Sequence, residues 1–65
     1  MIYEANKTYK IQDFTGYYYT ATIIEDDGLC ICFVDKDNLK IKLPKVQIKR
    51  AREVKQWINT IQYLH

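Results

Sequence analysis

From Thr8 onward the chain alternates apolar and polar residues with a period of two, the pattern of strands that bury one face. Tyr9 and Ile11 alternate with Lys10 and Gln12, which predicts a first strand over residues 8–14. Thr15-Gly16 breaks it, because glycine is free to take a positive φ. A second strand over 17–25 is rich in aromatic and β-branched residues, which suit a pleated surface. It places Tyr19, Ala21 and Ile23 on one face and Tyr18, Thr20, Thr22 and Ile24 on the other. Asp26-Asp27-Gly28 supplies a hairpin signal. The third strand, 29–34, sets Leu29, Ile31 and Phe33 against Cys30, Cys32 and Val34.

Asp35-Lys36-Asp37-Asn38 forms the next turn, with Asn38 suited to the left-handed conformation. In the fourth strand Leu39, Ile41 and Leu43 are expected to face inward and Lys40 and Lys42 outward. Pro44 has no N–H to give a ladder and is expected to end it. Val46 and Ile48 resume the alternation as a short fifth strand, with Lys45, Gln47 and Lys49 opposite. The first seven residues show no such rhythm and read as a frayed lead-in. Five short strands joined by tight turns predict a small closed or nearly closed barrel over residues 8–50.

Near Ala51 the rhythm changes. Val54, Trp57, Ile58, Ile61 and Leu64 fall at i, i+3, i+4, i+7 and i+10, one stripe of an α-helix. This predicts a C-terminal helix over 52–64. So short a helix is marginal alone in water, so it is expected to dock with Trp57 as anchor. Its expected seat is the outer patch of Ile24, Cys30, Cys32 and Val34, or an open end of the barrel. The expected fold class is therefore mainly β, a five-stranded barrel with one C-terminal helix, in a single domain over 1–65. A monomer is expected, a homodimer through the helix or the patch being the alternative.

Composition adds constraints. At 65 residues there is room for one core only, and such a small chain buries only about 60% of its unfolded surface. Six tyrosines, two glycines and one proline exclude a disordered composition. No apolar run approaches the roughly 20 residues of a membrane span, and the N-terminus does not read as a signal peptide. The expected setting is the cytoplasm, with no membrane partner. Cys30 and Cys32 are two apart on a strand, so both thiols share a face, poorly placed for a disulfide and only half of a zinc site. They read as reduced structural thiols; a zinc shared across a dimer is the weaker reading.

Charge is unevenly distributed along the chain. Residues 1–37 carry seven acidic groups against Lys7, Lys10 and Lys36, a balance of −4. Residues 38–65 carry Lys40, Lys42, Lys45, Lys49, Arg50, Arg52 and Lys55 against Glu53 alone, a balance of +6. Such asymmetry suggests a face for an anionic partner, or interleaved halves with a merely mixed surface.

Catalytic chemistry is sparse. The only histidine is the last residue, His65, which removes the usual general base and any Ser-His or Cys-His pair. Gly16 and Gly28 stand alone, so no glycine-rich loop cradles phosphates. Glu25, Asp26 and Asp27 suggest a divalent cation only weakly, since carboxylates in a hairpin turn are ordinary. The expectation is a non-enzyme without cofactor or metal.

The run Gly16-Tyr17-Tyr18-Tyr19-Thr20-Ala21-Thr22-Ile23 resembles the opening of a Tudor domain, and Phe33-Val34-Asp35-Lys36-Asp37-Asn38 is similar to that family's turn at Phe33, Asp35 and Asn38. The resemblance covers residues 16–48 and implies an SH3-like (Tudor- or Sm-like) small barrel. Tudor domains that read methylated side chains do so with an aromatic cage. Tyr18 and Asn38 match cage positions, but Lys36 stands where the family usually has tyrosine, and a cation there opposes a cationic ligand. The resemblance thus implies a fold and no ligand. Sm-like and archaeal chromatin-type barrels share the bent-sheet plan, and no motif here selects either.

Two functions follow as expectations. The first is nucleic-acid binding, to DNA or RNA, with Lys40, Lys42, Lys45, Lys49, Arg50 and Arg52 neutralising phosphates and Tyr17 or Tyr18 stacking on bases. The same lysines also read as guards of a sheet edge. The second is a protein-interaction module or small regulator of a larger protein, supported by the tyrosine load, since tyrosine is enriched in interfaces.

Overall fold

The computed structural model describes residues 2–54. Five strands, β1 (Thr8–Asp13), β2 (Tyr18–Asp26), β3 (Cys30–Val34), β4 (Lys40–Pro44) and β5 (Ile48–Glu53), make one antiparallel sheet. Their order is β4-β3-β2-β1-β5, with a 3-10 turn at Lys45–Gln47 between β4 and β5. The fold is mainly β, as the alternation predicts.

The connection from β4 to β5 dictates the shape. These are the two edges of the sheet. Laid flat, they would stand about 19 Å apart, four spacings of roughly 4.8 Å. Pro44 and Ile48 are joined by only four Cα–Cα steps, which reach at most about 15 Å. The 3-10 turn is more compact than that. The sheet must therefore roll around its apolar face. Backbone bonds pin the turn across one end of the roll: Lys45 N–H donates to the Leu29 carbonyl (2.8 Å) and Phe14 N–H to the Gln47 carbonyl (3.2 Å).

Two bulges help the strands bend. One follows Ile23 and leaves Ile24 without a partner; the other, opposite Gln12 and Asp13, leaves Lys49 extra on β5. An extra residue on one strand bends it and increases its twist. Inside the roll lie Tyr3, Tyr9, Ile11, Ala21, Ile23, Ile31, Phe33 and Leu43, with Tyr19, Ile41, Ile48 and Ala51 packed against them. Edge-to-face contacts join Tyr19 to Phe33 and Tyr3 to Tyr9, with centroids 5.4 and 5.0 Å apart.

Several expectations are corrected. The roll is not a closed barrel, since β4 and β5 do not pair with each other. The lead-in is not frayed: Tyr3 is 5% exposed, and Asn6 N–H donates to the Ile23 carbonyl while Ile23 N–H donates to that of Lys7. Tyr17 and Leu29 lie in turns, outside the strands assigned to them. Leu39 has the inward phase but sits at the rim of the β3–β4 loop, 60% exposed. Pro44, by contrast, ends β4 as expected, being its last residue, opposite Cys30.

Val46 belongs to the 3-10 turn, not a strand, and is 84% exposed. The fifth strand begins at Ile48 and continues to Glu53, so Arg52 and Glu53 are strand where the apolar stripe predicts a helix start. The rest of the predicted helix, with Trp57, Ile58, Ile61 and Leu64, lies outside the described residues, as does its docking. Among the described residues, no helix is long and apolar enough to cross a membrane.

Candidate functional site

The turns are built by aspartates, Asp13, Asp26, Asp27 and Asp35. Asp13 Oδ1 accepts hydrogen bonds from the Thr15 hydroxyl (2.6 Å) and from the N–H groups of Thr15 and Tyr17, while Tyr19 donates its hydroxyl to Oδ2. The Thr15 hydroxyl is foremost in holding the Asp13 carboxyl below the ordinary carboxylate range. Asp27 Oδ1 accepts the N–H groups of Cys30 and Leu29, which lower its pKa in that order. Asp35 is buried and accepts Thr20 N–H at 2.9 Å, tying the β3–β4 loop to β2. The hairpin carboxylates thus serve the backbone. Among the described residues, no three His, Cys, Asp or Glu side chains gather as metal ligands.

The basic residues divide into three groups. Lys40 and Lys42 lie on edge strand β4, across from Val34 and Cys32. Cys32 is in turn paired with Glu25, and the Lys42 charge helps to lower the Asp27 pKa. Lys42 thus faces the acidic hairpin, and Lys40, Lys42 and Pro44 together give β4 the composition of a guarded edge. Lys45 forms the second group. Its ammonium lies 2.8 Å from Asp26 and 5.8 Å from the centre of the Tyr3 ring. It clamps the 3-10 turn to the lead-in.

The third group is on β5. Arg50 and Arg52 alternate with half-buried Ala51 and project from the outer face. The register completes the surroundings: Arg52 is opposite Lys10, and Arg50 is opposite Gln12, whose partner on its other side is Tyr18. Lys10, Tyr18, Arg50, Ala51 and Arg52 line a shallow depression of about 90 Å³. A second depression of about 270 Å³ lies around Tyr3, Lys45, Ile48, Lys49, Arg50 and Ala51, so Arg50 and Ala51 border both. The six predicted cations therefore do not form one stripe. Lys49, Arg50 and Arg52 stay together, and Lys40 and Lys42 are on the opposite edge of the sheet.

The two candidate tyrosines separate as well. Tyr18 opens β2 on the outer face and is 54% exposed beside the arginines. Tyr17 lies in the preceding turn, its ring edge-to-face with Tyr19 at 4.7 Å, and Tyr19 packs on the core. They cannot form one stacking platform. Lys10 borders the depression although it lies in the half of the sequence, residues 1–37, whose balance is −4. Alternation alone puts it outward; only the pairing of β1 with β5 places it beside Arg52.

Cys30 and Cys32 are free, half-buried thiols on the outer face of β3. Tyr18 and Asn38, the matches to a Tudor cage, lie at the start of β2 and in the β3–β4 loop. Asn38 has φ 67° and closes that loop by donating its N–H to the Asp35 carbonyl, which gives it a turn-forming role. No family model matches the chain, and no curated protein or solved structure is found to be similar to it.

Proposed function

We propose that this chain is a small non-catalytic binding module, a rolled sheet of the SH3-like kind, that binds nucleic acid through Lys10, Arg50 and Arg52 around Tyr18. The SH3-like reading rests on the five-stranded order and the edge-to-edge 3-10 link, together with the Tudor-like strings at residues 16–23 and 33–38. The nucleic-acid reading rests on one observation: an exposed tyrosine shares a depression with three cations and no carboxylate. Cations supply the sequence-independent attraction to phosphate, and an aromatic ring supplies a face for a base. Edge protection accounts for Lys40, Lys42 and Pro44, but it does not call for Tyr18. The free thiols suit a reducing compartment, and the cytoplasm is the proposed setting.

The test is fluorescence anisotropy with labelled oligonucleotides at low salt. Binding that weakens as salt rises, and that the Arg50→Ala, Arg52→Ala double variant weakens about tenfold or more, supports the reading. Absence of binding to any nucleic acid removes it.

A second reading, a protein-interaction module, is favoured by a different surface. Leu29, Val46 and Phe14 are all exposed, and the backbone bonds of the 3-10 turn bring their segments together. Exposed apolar groups gathered in this way mark interaction surfaces. A protein captured after nuclease treatment, and lost in a Val46→Ser variant, would favour this class.

A further inference from the structure

We infer that the Tyr18 site selects single-stranded over double-stranded nucleic acid, one base stacking on the Tyr18 ring while the adjoining phosphates meet Arg50, Arg52 and Lys10. This deepens the proposed function and rests on it. The inference comes from the shape of the surface. The depression is shallow, about 90 Å³, and is carried by three adjacent strands, β2, β1 and β5. To read a duplex, a protein needs an element that enters a groove, and the major groove is roughly 12 Å wide and 8.5 Å deep. The elements bearing this site are strands of the sheet, from which only side chains project, Tyr18, Lys10, Arg50 and Arg52 among them. A duplex would meet the cations through its phosphates but would keep its base faces stacked away from Tyr18. A single strand offers both phosphates and base faces.

The spacing agrees. Arg50 and Arg52 are two residues apart on one strand face, roughly 6.6 Å. Lys10 stands across from Arg52, and Tyr18 stands in the row of Arg50, beyond Gln12. An extended strand running along β5 can therefore place successive phosphates on the two guanidiniums and turn one base inward over Tyr18. Gln12 lies between Tyr18 and Arg50 in the register and donates its amide to the Gly16 carbonyl at 3.3 Å.

The experiment compares labelled oligothymidine, oligouridine and a mixed-sequence duplex of equal length, by anisotropy across a salt series. The single strands are expected to bind about tenfold or more tightly than the duplex. Three phosphate contacts on a single strand give a log–log salt slope near −2. Tyr18→Ala is expected to weaken the single strands about tenfold and the duplex by less than about twofold, with Tyr18→Phe retaining the stacking face and the affinity. Circular dichroism checks that each variant is folded. Duplex bound as tightly as single strand, or a Tyr18→Ala loss equal for both, overturns the single-strand inference and leaves nucleic-acid binding standing. Failure of every oligonucleotide to bind overturns both.

Discussion

The Lys45 ammonium lies 2.8 Å from the Asp26 carboxylate, joining the 3-10 turn to the end of β2. The β2 bulge makes this contact. By leaving Ile24 unpartnered it shifts the phase, so Asp26 pairs with fully buried Ile31 and turns toward the interior. There it also accepts the N–H groups of Tyr3 and Gly28 at 2.9 and 2.8 Å. One carboxylate thus gathers the lead-in, the β2–β3 hairpin and the turn that closes one end of the roll.

The clamp makes stability depend on acid. The Lys45 hydrogen bond, followed by those from Tyr3 and Gly28, lowers the Asp26 pKa from 3.8 to about 2. A depressed carboxyl stabilises fully above its unfolded value and loses that contribution as pH falls through the folded one. Asp13 and Asp27 are shifted the same way. The melting temperature is expected to fall steeply between about pH 4 and 2. Asp26→Asn is expected to melt lower than the wild type at neutral pH, with the gap narrowing across that window. A constant gap would show that Asp26 acts through packing rather than charge.

Two of the four positive-φ positions, Gly28 and Asn38, respond differently to substitution. Gly28 has φ 99° with open space around a would-be Cβ, so Gly28→Ala tests backbone strain without a clash. A cost of about 1–2 kcal/mol is expected in urea unfolding. Asn38, at φ 67°, already bears a side chain in the left-handed region, so Asn38→Gly is expected to be close to neutral.

Core truncation is expected to be severe in so small a domain. Phe33 is fully buried and stacks edge-to-face with Tyr19. Phe33→Ala is expected to cost about 3–5 kcal/mol, whereas Ile31→Val should cost about 0.5–1.5 kcal/mol. Denaturant midpoints measure both.

The core was largely legible because its signal is local. Alternation finds Tyr9, Ile11, Ala21, Ile23, Ile31, Phe33 and Leu43. Tyr3 escapes it, being a lone aromatic in a segment without rhythm that docks through backbone bonds to β2. The misplaced helix start has a physical cause. Pairing with β1 sets Arg52 opposite Lys10 and Glu53 opposite Tyr9 and so carries β5 past Ala51, and the extra residue Lys49 interrupts the alternation just before it. The proposed binding surface was half legible. Arg50 and Arg52 stand out by charge, but strand order decides that Lys10 and Tyr18 join them while Lys40 and Lys42 do not, and order is not a local property of sequence.

Charge removal should separate the two edges. Arg50→Ala with Arg52→Ala is expected to weaken oligonucleotide binding about tenfold or more and to flatten the salt slope by roughly 1.4. Lys40→Ala with Lys42→Ala is expected to change the slope little, because these lysines lie on the opposite edge strand of the sheet from Arg50 and Arg52. Equal effects from both pairs would mean diffuse attraction rather than a site.

The most direct measurement is an amide shift map of the labelled protein titrated with a short single-stranded oligonucleotide. The predicted result is a continuous footprint on Lys10, Gln12, Tyr18, Arg50, Ala51 and Arg52, with β3 and β4 silent. A footprint centred on Lys40 and Lys42 or around Val46, or no shifts at all, would contradict the account.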